Sequence, residues 1–376
     1  MPWNAGPKAR CERLERLNED LKLSMSVITD PKNVIYTSGF MTTSFMLPTY
    51  LFIRIGKDPM LITGENVKPK VERKFGGEIA TYTSYDLSQR MIPYPDFVAK
   101  QTSQYLDISQ EVHRIGIDSW NIPYTLVRTI SENYPQSEFV DISDELRKMR
   151  MIKDADEIEE IRKSCKLNDF AYSIARDIIA EGLSEVEVYA EVHANVVKKS
   201  GSFQFFSGDF ISGERCIDIG GPPTVKKLIN GETFILDLWV TTNGYWSDAS
   251  RTFVVGHMPS DSQIALLKTT KKAMDRGEEM LVPGSSAADV YHAVYKAIDE
   301  EGYGERFPHH AGHAIGLDGQ EAPFFIPGCS DKLKEGMVCT LEPGIYLPDV
   351  GGVRIEHNYL ITKDGPETMT TFPIEL

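Results

Sequence analysis

The chain has 376 residues, 41% hydrophobic and 25% charged, with a formal net charge of −15. That is ordinary globular usage and leaves room for about two domains, at about 100–200 residues each. An acidic balance repels phosphate backbones and anionic lipid, no apolar run reaches the roughly 18 residues of a spanning helix, and residues 1–15 lack the apolar core of a secretory signal. Nucleic acid and membrane are therefore not expected partners, and the cytoplasm is the expected compartment. The five cysteines, Cys11, Cys165, Cys216, Cys329 and Cys339, are scattered. They make neither a disulfide framework nor a zinc knuckle, which suits a reducing compartment.

From the N-terminus, a charged amphipathic stretch over residues 13–21 is followed by a short apolar run at 26–29 and a turn signal, Asp30-Pro-Lys-Asn33. Residues 34–36, 50–55, 60–63 and 114–117 read as strands, each bounded by Gly, Pro, Asp or Asn. These make a small α/β domain over residues 1–148. Residues 149–376 form the second domain, which opens on a long helix. Its first turns, 154–160, are acidic and are followed by Arg162 and Lys163, a polarity that complements the helix dipole. Ile158, Ile161, Cys165, Phe170, Ile174 and Ile178 keep helical spacing along its buried side.

The second domain contains an internal echo. Residues 182–192 and 284–294 share the pattern Gly-x-Ser-x-x-[Glu/Asp]-Val-Tyr-x-x-Val. Ser184 and Ser286 each stand three residues before an acid, Glu187 and Asp289, the arrangement that caps a helix start. A strand-like run with a carboxylate follows each, Asp237 in 234–240 and Glu342 in 338–344, and then a second carboxylate, Asp248 and Glu356. Two halves with matching acids predict a pseudo-two-fold domain around a shared site.

Asp237 lies in an apolar strand run, where an uncompensated carboxylate is costly to bury. The turn signal at residues 241–245 allows a hairpin that brings Asp248 to it, and a second hairpin region separates Glu342 from Glu356. Between the pairs lies Phe307-Pro-His-His-Ala-Gly-His313, where glycine permits close backbone approach. Four carboxylates in one pocket need two divalent cations to neutralise them, and adding an imidazole favours manganese, cobalt, iron or zinc. Such ions, roughly 3.5–4 Å apart, would hold a bridging hydroxide and polarise a substrate oxygen.

These motifs resemble the pita-bread metallopeptidases: methionine aminopeptidase, Xaa-Pro aminopeptidase, prolidase and creatinase. The resemblance rests on Leu236-Asp237, Asn243-Gly-Tyr-Trp-Ser-Asp248, His309-x-x-Gly-His313-x-Ile-Gly-Leu317, Leu341-Glu-Pro-Gly-Ile-Tyr346 and Gly352-Val-Arg-Ile-Glu356. Residues 28–33 and 36–40 are similar to the amino domain of prolidases and creatinase. The resemblance implies an α+β pita-bread catalytic domain behind a creatinase-type α/β domain, with Asp237, Asp248, His313, Glu342 and Glu356 as ligands of two metal ions. Glu342 would also shuttle a proton. His309 matches an upstream histidine that could hydrogen-bond substrate, Arg354 would pair with a site carboxylate or touch substrate, and His310 has no assigned role. Two family histidines are replaced, one by Gly220 in Ile219-Gly-Gly-Pro222 and one by Gln320, a neutral amide that could read a different substrate. In creatinase-like dimers the region matching residues 41–48 reaches the partner's active site, which implies a homodimer. The expected activity is metal-dependent hydrolysis of an Xaa-Pro dipeptide or short peptide. The alternative is a small non-peptide metabolite, as for creatinase, ectoine hydrolase or dimethylsulfoniopropionate lyase.

Overall fold

Short aliphatic and aromatic runs in the first part of the chain build a mixed sheet, and longer alternating strands in the second part build a different scaffold. A computed structural model describes residues 5–41, 47–84, 95–106, 112–256 and 258–376. The chain divides into two units, Met1–Arg150 and Met151–Leu376. Most of the region 41–48, expected to reach a partner's active site, lies outside the described residues.

In the first unit six strands, β1 (Met25–Ile28), β2 (Tyr50–Arg54), β3 (Met60–Gly64), β4 (Glu78–Tyr82), β5 (Arg114–Ile117) and β6 (Glu138–Asp141), lie in the order β4-β3-β2-β1-β5-β6. β2 runs antiparallel to β1 and β3, and the other pairs are parallel. Val27, Phe52 and Ile62 pack with Leu126 and Ile130, while Ile28, Leu51 and Leu61 pack with Leu14 and Leu146. Both faces are covered, so β1 to β3 are buried along nearly their whole length and are mostly apolar. The expected strand at 34–36 is instead part of the helix Pro31–Ser38. The Asp30 carboxylate accepts from Lys32 N at 3.2 Å, Pro31 opens the first turn, and Gly39 closes the helix at φ 69°. These caps override the strand preference of Val-Ile-Tyr.

In the second unit, β7 (Phe206–Ser212), β8 (Thr233–Thr242) and β9 (Tyr245–Val254) form an antiparallel sheet. A five-stranded sheet joins β10 (His313–Ala314), β11 (Glu321–Phe324), β12 (Val338–Leu341), β15 (His357–Thr362) and β16 (Gly365–Thr368), and β13 (Gly344–Leu347) pairs with β14 (Gly351–Arg354). Asp154 and Glu157 form a capping box that starts the helix Ala155–Ile178. The echo is visible in three dimensions: Ser184 and Ser286 both form capping boxes, and each also makes an isolated antiparallel bridge, to Lys227 and Lys332. Phe234, Leu236, Leu238 and Val240 of β8 pack on Ala171, Tyr172, Val188 and Val192. With a period of two, this turns Ile235, Asp237 and Trp239 to the other face. Among the described residues no helix is long and apolar enough to cross a membrane.

Candidate metal centre

β8 and β9 close on Asn243 and Gly244, whose φ values are 49° and 86°. Positive φ at both positions is the turn geometry that matches strand twist and favours Asn-Gly. The resulting register sets Asp237 opposite Ser250 and Trp239 opposite Asp248, so both acids share one face. Glu342 follows β12 and is anchored by its N–H to Ala311 O at 2.9 Å, and Glu356 follows β14 with its N–H on Ser250 O at 3.0 Å.

His313 Nδ1 lies 3.0 Å from Ala314 O, and since a carbonyl only accepts, Nδ1 carries the proton. The Nε2 lone pair then faces Asp248 Oδ2 at 3.6 Å and Glu342 Oε1 at 3.5 Å. A backbone carbonyl that fixes the imidazole in this way is the usual support of a metal-binding histidine. Ligand atoms of Asp248, His313 and Glu356 lie within 4.8 Å of one another, as do those of Asp237, Glu342 and Glu356. Two buried triads therefore share Glu356.

Asp248 Oδ1 and both Glu356 oxygens are buried without a hydrogen-bond partner. Burial, reinforced by neighbouring carboxylates, pushes Asp248 and Glu356 well above the carboxylate range, and burial pushes Asp237 up to about 6 despite Arg354 beside it. Glu342 behaves oppositely: burial would raise it, but His310, whose own pKa is raised by the facing carboxylate, outweighs burial and lowers it to about 2. Buried carboxylate oxygens with no donor, set around the buried Nε2 lone pair of His313, fit divalent cations.

Two family models match the chain: metallopeptidase family M24 over residues 159–363, and the creatinase/prolidase N-terminal domain over residues 10–152. The chain belongs to metallopeptidase family M24. It is 31% identical over 369 residues to the Xaa-Pro dipeptidase of Pyrococcus furiosus, an alignment covering 98% of this chain and 99% of that one. Among solved structures it is similar to the prolidase of Pyrococcus horikoshii OT3, with TM-score 0.85, 30% identity, and 98% and 99% of the two chains covered. The Xaa-Pro dipeptidase of Bacillus anthracis gives TM-score 0.85 at 28% identity, again over 98% and 99%. The creatinase-type amino domain and the α+β pita-bread domain are thus those of the M24 prolidases, and the chain is a metal-dependent hydrolase.

Within this M24 site, the five expected ligand residues converge, Arg354 pairs with a site carboxylate, which is one of its two expected roles, and His309 and Gln320 are not turned to the acids. Arg354 is buried, with Nη2 2.7 Å from Asp209 Oδ2 and 2.9 Å from Asp237 Oδ2. Its Nη1 donates to Ile219 O and to the Tyr346 hydroxyl at 3.2 Å, and its Nε to Ser250 Oγ at 3.3 Å. Arg354 thus makes four hydrogen bonds, and its Nη2 also ion-pairs with Asp237. His309 is engaged at both nitrogens, Nδ1 donating to His310 O at 2.7 Å and Nε2 accepting from the Tyr346 hydroxyl at 2.8 Å. Burial holds its pKa down to about 4, so the ring is neutral. Gln320 is exposed.

Three residues near the acids carried no expectation. His310 Nδ1 lies 3.3 Å from Glu342 Oε1, the Trp239 indole N–H donates to Asp237 Oδ1 at 3.1 Å, and Asp209 pairs with Arg354. Trp239 was accessible from strand period alone, two positions after Asp237. Asp209 required the β7–β8 register, which sets it opposite Asp237.

Proposed function

We propose that Asp237, Asp248, His313, Glu342 and Glu356 hold two divalent cations, manganese, cobalt, iron or zinc, and that the chain hydrolyses the amide bond of an Xaa-Pro dipeptide or short peptide. The observation that carries this reading is the pair of buried triads sharing Glu356, whose oxygens have no donor among the described residues. Bound there, the cations would polarise the scissile carbonyl and lower the pKa of water. Glu342 Oε1, held ionised, accepts the proton of the attacking water and passes it to the leaving nitrogen. Thr340 Oγ1, 3.5 Å away, donates to that oxygen, and His310 Nδ1 stands 3.3 Å from it. Trp239 keeps Asp237 Oδ1 in place. His309, being neutral and doubly bonded, fixes the Tyr346 hydroxyl that in turn accepts from Arg354. The relatives named Xaa-Pro dipeptidase support the substrate class. Four of the cysteines are buried free thiols, which suits a cytoplasmic enzyme, and the creatinase resemblance supports a homodimer.

A non-peptide substrate is the second reading, favoured by Gly220 and by the exposed Gln320 where the family resemblance expects histidines. Purified protein is expected to contain two divalent ions per chain by elemental analysis and to hydrolyse Xaa-Pro dipeptides or short peptides when manganese or cobalt is added. A fully metal-loaded sample that turns over no Xaa-Pro peptide defeats the peptide reading, and a chain that takes up no divalent ion defeats the centre itself. Sedimentation of the same sample tests the dimer.

A further inference from the structure

The wall of the site around residue 220 is built differently from the one the family resemblance implies, and the difference has a structural cause. Asp209 lies opposite Asp237 in the β7–β8 ladder and so faces the metal site. Its Oδ2 is 2.7 Å from Arg354 Nη2, and its Oδ1 accepts from Gly221 N at 2.8 Å. A Cβ on Gly220 would stand 2.7 Å from Asp209 Oδ2 and 3.1 Å from Asp209 Cγ. The carboxylate cannot withdraw from such a Cβ without giving up Arg354 or the Gly221 amide. Position 220 is therefore closed to any side chain while Asp209 is in place.

The turn leading into this wall is strained. Ile219 has φ 71° and ψ −49°, and Gly220 N donates back to Asp218 O at 2.8 Å. That is a γ-turn with positive φ centred on a β-branched residue, a conformation that costs on the order of 1–3 kcal/mol and persists only where its surroundings over-determine it. Here the Ile219 carbonyl accepts from Arg354 Nη1, and the Ile219 side chain packs on Ile211, Cys216, Ile235 and Tyr346. Asp209 and Arg354 together clamp both sides of the turn.

We propose that Asp209 is the specificity-determining residue of this site: by closing position 220 and pairing with the charge of Arg354, it makes the wall accept an uncharged end of the substrate in preference to a free carboxylate. The inference rests on the peptidase reading above. A buried arginine with one free N–H pair would anchor a substrate carboxylate by a charge-assisted bidentate contact. With Asp209 present, Arg354 Nη2 is held between Asp209 and Asp237, its charge is matched, and an incoming carboxylate meets a like charge. A C-terminally extended or amidated Xaa-Pro peptide avoids that repulsion.

The manganese-loaded enzyme should be assayed with Ala-Pro and with Ala-Pro amide. The wild type is expected to favour the amide in kcat/KM by about tenfold or more, and Asp209→Asn, which keeps the shape and removes the charge, should shift the ratio at least tenfold toward the free acid through KM. A ratio unchanged by Asp209→Asn overturns the proposal. Proline and prolinamide, titrated calorimetrically into the same manganese-loaded proteins, give the ratio without turnover, so failure of the peptidase reading is seen separately. The closed wall is tested by melting temperature: Gly220→Ala should lower it at least twice as much in the wild type as in Asp209→Ala, and equal drops overturn the closure.

Discussion

In the first half of the catalytic unit both acids, Asp237 and Asp248, stand inside ten-residue strands, whereas in the second half Glu342 and Glu356 stand just outside four-residue ones. Both halves begin alike, with a serine-capped helix and a bridge to a lysine. They diverge at the carboxylates. The first pair is set by a continuous ladder closed by an Asn-Gly turn, so its position follows from local pairing. The second pair is set by single backbone bonds, one of them from Glu356 N to Ser250 of the first half. The comparison teaches that the first hairpin is the template and that the second pair of acids is placed against it, with Glu356 as the shared member of both triads.

Removing single acids should separate the halves most clearly. Asp237→Asn and Glu356→Gln are each expected to lower metal affinity and activity by more than about a hundredfold, beyond what loss of a supporting residue costs. In metal-depleted protein their stability effects should have opposite signs. Glu356→Gln removes a buried carboxylate with no donor and should raise the melting temperature, while Asp237→Asn breaks the 2.9 Å contact with Arg354 and should lower it. Scanning calorimetry in chelator checks both, and two shifts of the same sign would erase the distinction.

A pH dependence specific to the second half follows from His309. Its folded pKa is about 4, below the ordinary 6.5, so the unfolded chain binds the proton more readily. The stability it contributes is present above about pH 6.5 and is lost as pH falls toward 4. Asp237 of the first half, raised to about 6, acts in the other direction in metal-free protein, where protonation below pH 6 favours the folded state. Denaturant midpoints of wild type and His309→Gln, measured from pH 7 to pH 4, isolate the histidine: the variant should lose less stability over that range.

Gly244→Ala sharpens the template idea. At φ 86° an alanine is strained, so a loss of about 1 kcal/mol or more is expected by denaturant titration. The smallest effects are those of the caps. Ser184→Ala and Ser286→Ala should each cost about 1 kcal/mol. The larger loss is expected for Ser184, which is buried and whose partner Glu187 also pairs with Lys227 at 2.9 Å.

Much of this molecule is written locally. β2, β3 and β5 follow from apolar runs between breakers, and the capping boxes at Ser184 and Ser286 follow from three-residue spacing. β4 and β6 are harder to read, because edge strands such as Glu138–Asp141 are half exposed and lack an apolar run. Residues 34–36 show the opposite error, in which strand-forming side chains are overruled by Asp30, Pro31 and Gly39.

The sequence by itself determined the two-part organisation, the echoed halves and the five residues expected to be ligands, because strand period, capping pattern and ordered motifs are properties of short segments. Only the tertiary structure decided what those residues meet. It joined Arg354 to Asp209 across 145 residues, turned His310 toward Glu342, committed both nitrogens of His309, and left Gln320 exposed. The physical reason is that charge pairing and donor saturation depend on distances of a few ångströms between segments far apart in the chain. No local pattern encodes those distances.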